Sequence, residues 1–120
     1  FINRCEDMLT AYSIASVVVS PSIEPEAFGR VAVEAQAMEK IIIASNIGGS
    51  KETIVDGKSG ILFDSGNAKE LAKTLNKIIE LDDMEKQSIG KEGRKNVIKK
   101  FDVEKMCQTT FTEYQKLIKK

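Results

Sequence analysis

Histidine and tryptophan are absent from this 120-residue sequence, cysteine and proline occur twice each, and aromatic residues make up only 6% of it. Without histidine, no imidazole can serve as general base or zinc ligand. Cys5 and Cys107 lie far apart and match no metal-ligand or redox spacing, so the chain is not expected to carry out metal or histidine chemistry on its own. A surplus of either charge is missing too. Eighteen Lys and Arg balance 18 Asp and Glu, which leaves nothing to neutralise a phosphate backbone, and nucleic acid is not an expected partner. No apolar run approaches the roughly 20 residues that cross a bilayer, and no signal-peptide pattern opens the chain. A soluble cytoplasmic protein is therefore expected. The first residue is Phe1 and not methionine, which raises the expectation of further sequence upstream.

What the chain does have is an ordinary globular composition, 42% hydrophobic and 30% charged. One domain fits this length, and folding would bury roughly two thirds of the surface of the unfolded chain. Lysines gather toward the C-terminus, between 86 and 100 and again at 116, 119 and 120, but acids are interleaved through most of that region. This pattern predicts a solvated helical face.

Three runs read as strands: residues 16–20 (SVVVS), 41–45 (IIIAS) and 60–63 (GILF). Each is nearly continuous in apolar residues instead of alternating, as in strands covered on both faces. Elsewhere the period is helical. Ala68, Leu71, Ala72, Leu75, Ile78 and Ile79 recur at three and four residues, and Asn67 with Glu70 has capping-box spacing. Further helices are expected over about 6–15, 29–38, 50–55, 83–99 (despite Gly90 and Gly93) and 103–118, the last behind an Asp102 cap. That last helix carries an apolar stripe of Val103, Cys107, Phe111, Tyr114 and Ile118. Strands alternating with helices predict an α/β fold, a Rossmann-like parallel sheet with flanking helices.

In such a sheet ligands bind beyond the carboxyl ends of the strands. After the first strand the sequence runs Pro21-Ser22-Ile23-Glu24-Pro25-Glu26-Ala27-Phe28-Gly29-Arg30-Val31. Gly29 permits a close backbone approach, and the N–H groups of Arg30 and Val31 would face an anion with the positive end of a helix dipole behind them. A phosphate fits there, although a strand, a glycine turn and a helix occur in every α/β fold. Glu34 adds to the case because it stands mid-helix among Val31, Ala32, Val33, Ala35 and Ala37, where a buried carboxylate needs donors. Two are available on paper: Arg30, four residues earlier, as an ordinary surface pair, or the hydroxyls of a nucleotide ribose, held in bidentate fashion.

Glu26 and Glu34 bracket seven residues that include Phe28-Gly29. Pro21-Ser22 precedes this segment, and Gly48-Gly49-Ser50-Lys51-Glu52 and Asp56-Gly57-Lys58-Ser59-Gly60 follow it. In order and spacing this resembles the signature of family 4 of the retaining GT-B glycosyltransferases (glycosyl transferases group 1), from about Cys5 to the last helix. The sequence departs from the pattern at Asn3 and Glu39, where glycine is common in the family, and at Ile41, where proline is. The resemblance implies that residues 1–120 are the C-terminal part of a nucleotide-sugar-binding domain, one portion of a two-domain GT-B fold. It implies Glu26 as the catalytic-site residue that orients the donor sugar. Amides near Phe28 and Gly29 would hold that sugar, those of Arg30 and Val31 the diphosphate, and Glu34 the ribose.

Metal and cofactor are not expected in this scheme. The implied partners are a nucleotide-diphospho-sugar donor, a glycan or lipid-linked acceptor, and an N-terminal domain that carries most of the acceptor site. A lysine and an arginine that clamp the diphosphate in the family would lie upstream. The full-length protein would work in the cytoplasm, where a peripheral station at the inner membrane face is compatible with such acceptors. The 120 residues alone would be inactive and would self-associate as a homodimer through the strand at 16–20. A non-catalytic remnant or interaction module of the same fold is the alternative reading.

Overall fold

The computed structural model describes residues 7–25, 29–101 and 103–118. The elements in order are α1 (Met8–Ile14), β1 (Val17–Ser20), α2 (Arg30–Ala37), β2 (Ile41–Ser45), α3 (Ser50–Thr53), β3 (Ile61–Phe63), α4 (Ala68–Glu80), α5 (Asp83–Phe101) and α6 (Val103–Ile118). The three strands form one parallel sheet in the order β1-β2-β3. Val17 lies beside Ile41 and Ile43 beside Ile61. The α/β fold read from the sequence is the one observed, and element ends differ from expectation by one or two residues.

All five residues of β2 are buried, which explains its unbroken apolar run. Its alternate side chains separate two cores. Ile42 and Ala44 face a cluster with Tyr12, Ala32, Ala35 and Ile54 under α1 and α2. Ile41 and Ile43 face Phe63 and Ile78 under α4. The alanines let α2 lie close on the sheet, and each buried isoleucine contributes roughly 1.5–3 kcal/mol. The strand β1 is different, since all four of its residues are only half-buried.

The start of α4 follows the expected capping chemistry with one change. Glu70 donates its N–H to Asn67 Oδ1 at 3.0 Å, while its own carboxylate accepts from the N–H of Asp64 at 3.3 Å. The helix α3 stops at Thr53, two residues short of expectation. There Ile54 turns extended, and Ser59 Oγ accepts the N–H of Val55 at 2.8 Å. The proposed Asp102 cap and residue Cys5 lie outside the described residues, and Cys107 is an exposed free thiol.

Gly90 and Gly93, which weaken α5 as an isolated helix, are buried where it packs on α2. Beside Gly93 lies a buried polar network. Gln36 donates to the carbonyls of Ala32 (3.0 Å) and Thr53 (2.9 Å). Asn96 on α5 donates to Gln36 Oε1 and the Thr53 carbonyl, both at 2.9 Å. Each donor finds an acceptor, as burial requires, and the network locks α2, α3 and α5 together. Arg94 adds a bond of 2.6 Å to the carbonyl of Ala37 at the end of α2. The helix α6 follows α5 after one residue, and Phe111, Tyr114, Leu117 and Ile118 on it are exposed.

Candidate functional site

The carboxyl ends of the strands, Ser20, Ser45 and Phe63, lie on one side of the sheet, and the loops that follow them are joined there. Ser65 Oγ donates to the carbonyl of Ser22 at 3.1 Å, which ties the loop after β3 to the loop after β1. The loop after β2 approaches the start of α2, and a Cβ on Gly29 would stand 3.5 Å from the amide nitrogen of Ser50. Gly29 is the N-cap of α2 at φ 75°, in the left-handed region that favours glycine. The first intrahelical bonds run from Ala32 and Val33 to the Gly29 carbonyl, at 3.1 and 3.3 Å. The amides of Arg30 and Val31 therefore come before the helical ladder, and among the described residues no side chain caps them. Ser45 Oγ, buried at the end of β2, makes no hydrogen bond among the described residues.

One turn into α2, Glu34 meets two donors. Arg30 comes within 3.4 Å of Oε1, the surface pair read from the i,i+4 spacing. The second was not foreseen. Tyr12 on α1 donates its hydroxyl to Oε2 at 2.8 Å, and its residue is only 4% exposed. The Glu34 side chain is 38% exposed, so the expectation of a buried carboxylate in mid-helix is corrected. The open side of α2 leaves one edge of the carboxylate to solvent. Arg30, 83% exposed, holds it weakly. Tyr12 holds it firmly, because the ring is packed in the core and cannot swing away. Burial first, and then the hydrogen bond to Glu34, push the Tyr12 phenol up to about 12.

Tyr12, Arg30 and Glu34 line a depression of about 430 Å³ between α1 and α2, rimmed by Asp7, Met8, Leu9 and Ala37. At its mouth the Thr10 hydroxyl, and then the Thr10 N–H, hold the Asp7 carboxyl below its ordinary range. A buried tyrosine usually finds a partner for its hydroxyl. That rule is the one signal available in the sequence, and it names neither the partner nor its place in the chain. A second depression of about 320 Å³ is lined by Lys58, Lys95, Lys99, Lys100, Glu92 and Asn96, beside the segment that leads into β3. It lies toward the amino ends of the strands, away from Gly29, and Glu92 sits between Lys58 (4.0 Å) and Lys95 (3.6 Å).

The structure thus brings Gly29, Arg30, Val31 and Glu34 onto one helix opening at the carboxyl ends of the strands. Glu26 and Phe28 lie outside the described residues. The sequence profile of the family described as glycosyl transferases group 1 matches residues 1–96. The chain belongs to this family. A capsular polysaccharide biosynthesis glycosyltransferase of Staphylococcus aureus, CapM, is 32% identical over 98% of this chain. A glycosyltransferase structure from Rickettsia africae superposes with a TM-score of 0.91 at 35% identity, covering 97% of this chain and 31% of that one. The Anabaena protein HepE (Alr3699), solved in complex with UDP-glucose, superposes with a TM-score of 0.88 at 30% identity, covering 97% and 32%. This group 1 domain spans only 30% of CapM. Its α/β sheet is the corresponding part of the GT-B architecture that the sequence implied.

Among the described residues no helix of the group 1 domain is long and apolar enough to cross a membrane.

Proposed function

We propose that residues 1–120 form the C-terminal part of the donor-binding domain of a retaining, metal-independent glycosyltransferase of family 4. In this reading the whole protein transfers a sugar from a nucleoside diphosphate to a glycan or lipid-linked acceptor, from the cytoplasmic side. The observation that carries the reading is the left-handed Gly29 cap of α2, with the amides of Arg30 and Val31 ahead of the helical ladder and Glu34 one turn further along a depression. HepE, similar along nearly the whole chain, binds UDP-glucose in its solved complex, and a UDP-sugar is accordingly the first donor to test.

The chemistry follows from the geometry. As the glycosidic bond to the diphosphate breaks, negative charge grows on the departing phosphate oxygens. Amides fixed at a helix N-terminus stabilise that charge without having to reorganise. The diphosphate would meet the amides of Arg30 and Val31, and the backbone near Phe28 and Gly29 would hold the sugar. Glu26 would orient the sugar hydroxyls beside the developing oxocarbenium ion. Glu34 would accept from the two ribose hydroxyls, for which a carboxylate has ample acceptor capacity even while it serves Tyr12 and Arg30. The acceptor site and the cationic clamp on the diphosphate would come from an N-terminal domain and upstream segment.

Two substitutions in the gene-encoded protein test this division of labour. Glu26→Ala should abolish sugar transfer and leave nucleoside diphosphate affinity nearly intact. Glu34→Ala should weaken nucleotide binding by about 1.5–3 kcal/mol, the range for hydrogen bonds to a charged group. Ordinary turnover by the Glu26→Ala protein would refute the catalytic assignment of Glu26.

A further inference from the structure

We infer that Tyr12 is a positioning residue for the donor nucleotide: it aims the Glu34 carboxylate at the ribose hydroxyls and acts through Glu34 without touching the ligand. The inference rests on the proposed role of Glu34 and goes beyond it, because it names the group that makes a half-exposed glutamate selective.

A glutamate on the open side of a helix has several accessible rotamers, and fixing one on ligand binding has an entropic cost. Arg30 does little to remove that cost. It is long and 83% exposed, and its 3.4 Å contact is at the limit of a hydrogen bond. Tyr12 is built otherwise. Its residue is 4% exposed, in one apolar cluster with Ala32 and Ala35 of α2 and Ile42 of β2, so the ring position is set by the core itself. From there the hydroxyl reaches 22 residues along the chain to Glu34 Oε2 at 2.8 Å, a charge-assisted bond of good length.

The bond occupies one of about four acceptor directions of the carboxylate. What remains on Oε1 and Oε2 lines the depression between α1 and α2, and two vicinal hydroxyls need one acceptor direction on each oxygen. The phenol also remains a donor at any ordinary pH, since its pKa stands at about 12. A tyrosine present only to fill the core would stabilise the fold equally whether or not a ribose is bound. A positioning tyrosine has a different signature, confined to ligands that carry the hydroxyls.

The experiment is calorimetry on the gene-encoded protein, using whichever of UDP, GDP and ADP binds most tightly, together with the deoxynucleotide that lacks both hydroxyls, its 2′,3′-dideoxy counterpart. Thermal melts check that each variant is folded. Tyr12→Phe should weaken the ribonucleotide about fivefold to tenfold, the loss typical of one hydrogen bond, and should leave the deoxynucleotide at its wild-type affinity. It should raise the KM for the sugar donor and leave kcat unchanged. In a Glu34→Ala background, Tyr12→Phe should have no further effect on ribonucleotide binding.

Wild-type ribonucleotide affinity in Tyr12→Phe, with Glu34→Ala impaired, would overturn the inference and spare the site. Equal weakening of both nucleotides would also overturn it, because that is the mark of a structural role. No effect of Glu34→Ala on either nucleotide would overturn the reading of the site and the inference with it. Should Tyr12→Phe fail to fold, a ring-fluorinated tyrosine at position 12 keeps the ring and strengthens the donor. It should tighten the ribonucleotide alone, and unchanged affinity there would be decisive against the inference.

Discussion

Gly90 of α5 lies so close beneath the carbonyl of Glu39, at the end of α2, that no Cβ fits between them. This contact sets the distance between α5 and α2, and so the height of the helix whose other end opens the proposed donor site. Gly90→Ala forces the two apart. Although alanine favours the helix by about 1 kcal/mol, the backbone clash should outweigh it and leave a net loss of about 1–3 kcal/mol, measured as a lower urea midpoint with unchanged slope.

Glu39 itself sits at φ 59°, in the left-handed region, and is the one such residue other than glycine among the described residues. Its position is one where the resembled family commonly has glycine. A β-carbon there costs roughly 1–2 kcal/mol, partly offset by the extra freedom glycine gains in the unfolded chain. Glu39→Gly should therefore stabilise the fold by about 0.5–1 kcal/mol. Equal or lower stability in urea would show that the turn tolerates the glutamate without strain.

These two residues mark the boundary of what could be read in the sequence. The strands were legible because β2 is covered on both faces and so is apolar at every position, and α4 because one face repeats and its cap has a fixed spacing. The glycines of α5 looked like weaknesses in a helix. Their reason is a neighbour more than thirty residues distant in sequence, which no local pattern displays. The same holds for the Gln36, Thr53 and Asn96 network, whose members are polar residues scattered over three elements. Of the site, the helix opening at Gly29 and the Arg30–Glu34 pair follow from local spacing, whereas the Tyr12–Glu34 bond is a tertiary contact and did not. The roles given to Glu26 and Phe28 rest on the resemblance, since both fall outside the described residues.

The Tyr12 phenol, held at about 12 against an ordinary value near 10, makes stability depend on pH at the alkaline end. The fold favours the protonated form. Its contribution is therefore complete below the unfolded value near 10 and disappears as pH rises through 12. The stability of wild type minus that of Tyr12→Phe, measured by denaturant titration, should be flat from neutral pH to about 10 and then shrink. Glu34→Gln should move the phenolate absorbance midpoint down while leaving it above 10, because burial is the larger cause and the carboxylate the smaller. A midpoint at the ordinary tyrosine value in that variant would show that the carboxylate, and not burial, holds the proton.

The β1 edge of the sheet yields the last prediction. The strand β1 pairs with β2 on one side, and among the described residues no strand pairs with its other side. Val17, Val18 and Val19 are apolar and β-branched, with no charge or proline within the strand to discourage pairing, and they are half-buried where β2 is fully buried. A second copy added edge to edge would satisfy the backbone groups that no described strand pairs with. The helix α6 could join the contact through Phe111 and Tyr114, 63% and 62% exposed. The 120-residue chain on its own should therefore dimerise, and light scattering over a rising concentration series should show its mass doubling. The competing arrangement is a strand formed by residues 1–4, which lie outside the described residues, folded over the edge within one chain. It predicts a concentration-independent monomer in which the amides of Val17, Val18 and Val19 exchange slowly, and that pair of results would rule the dimer out.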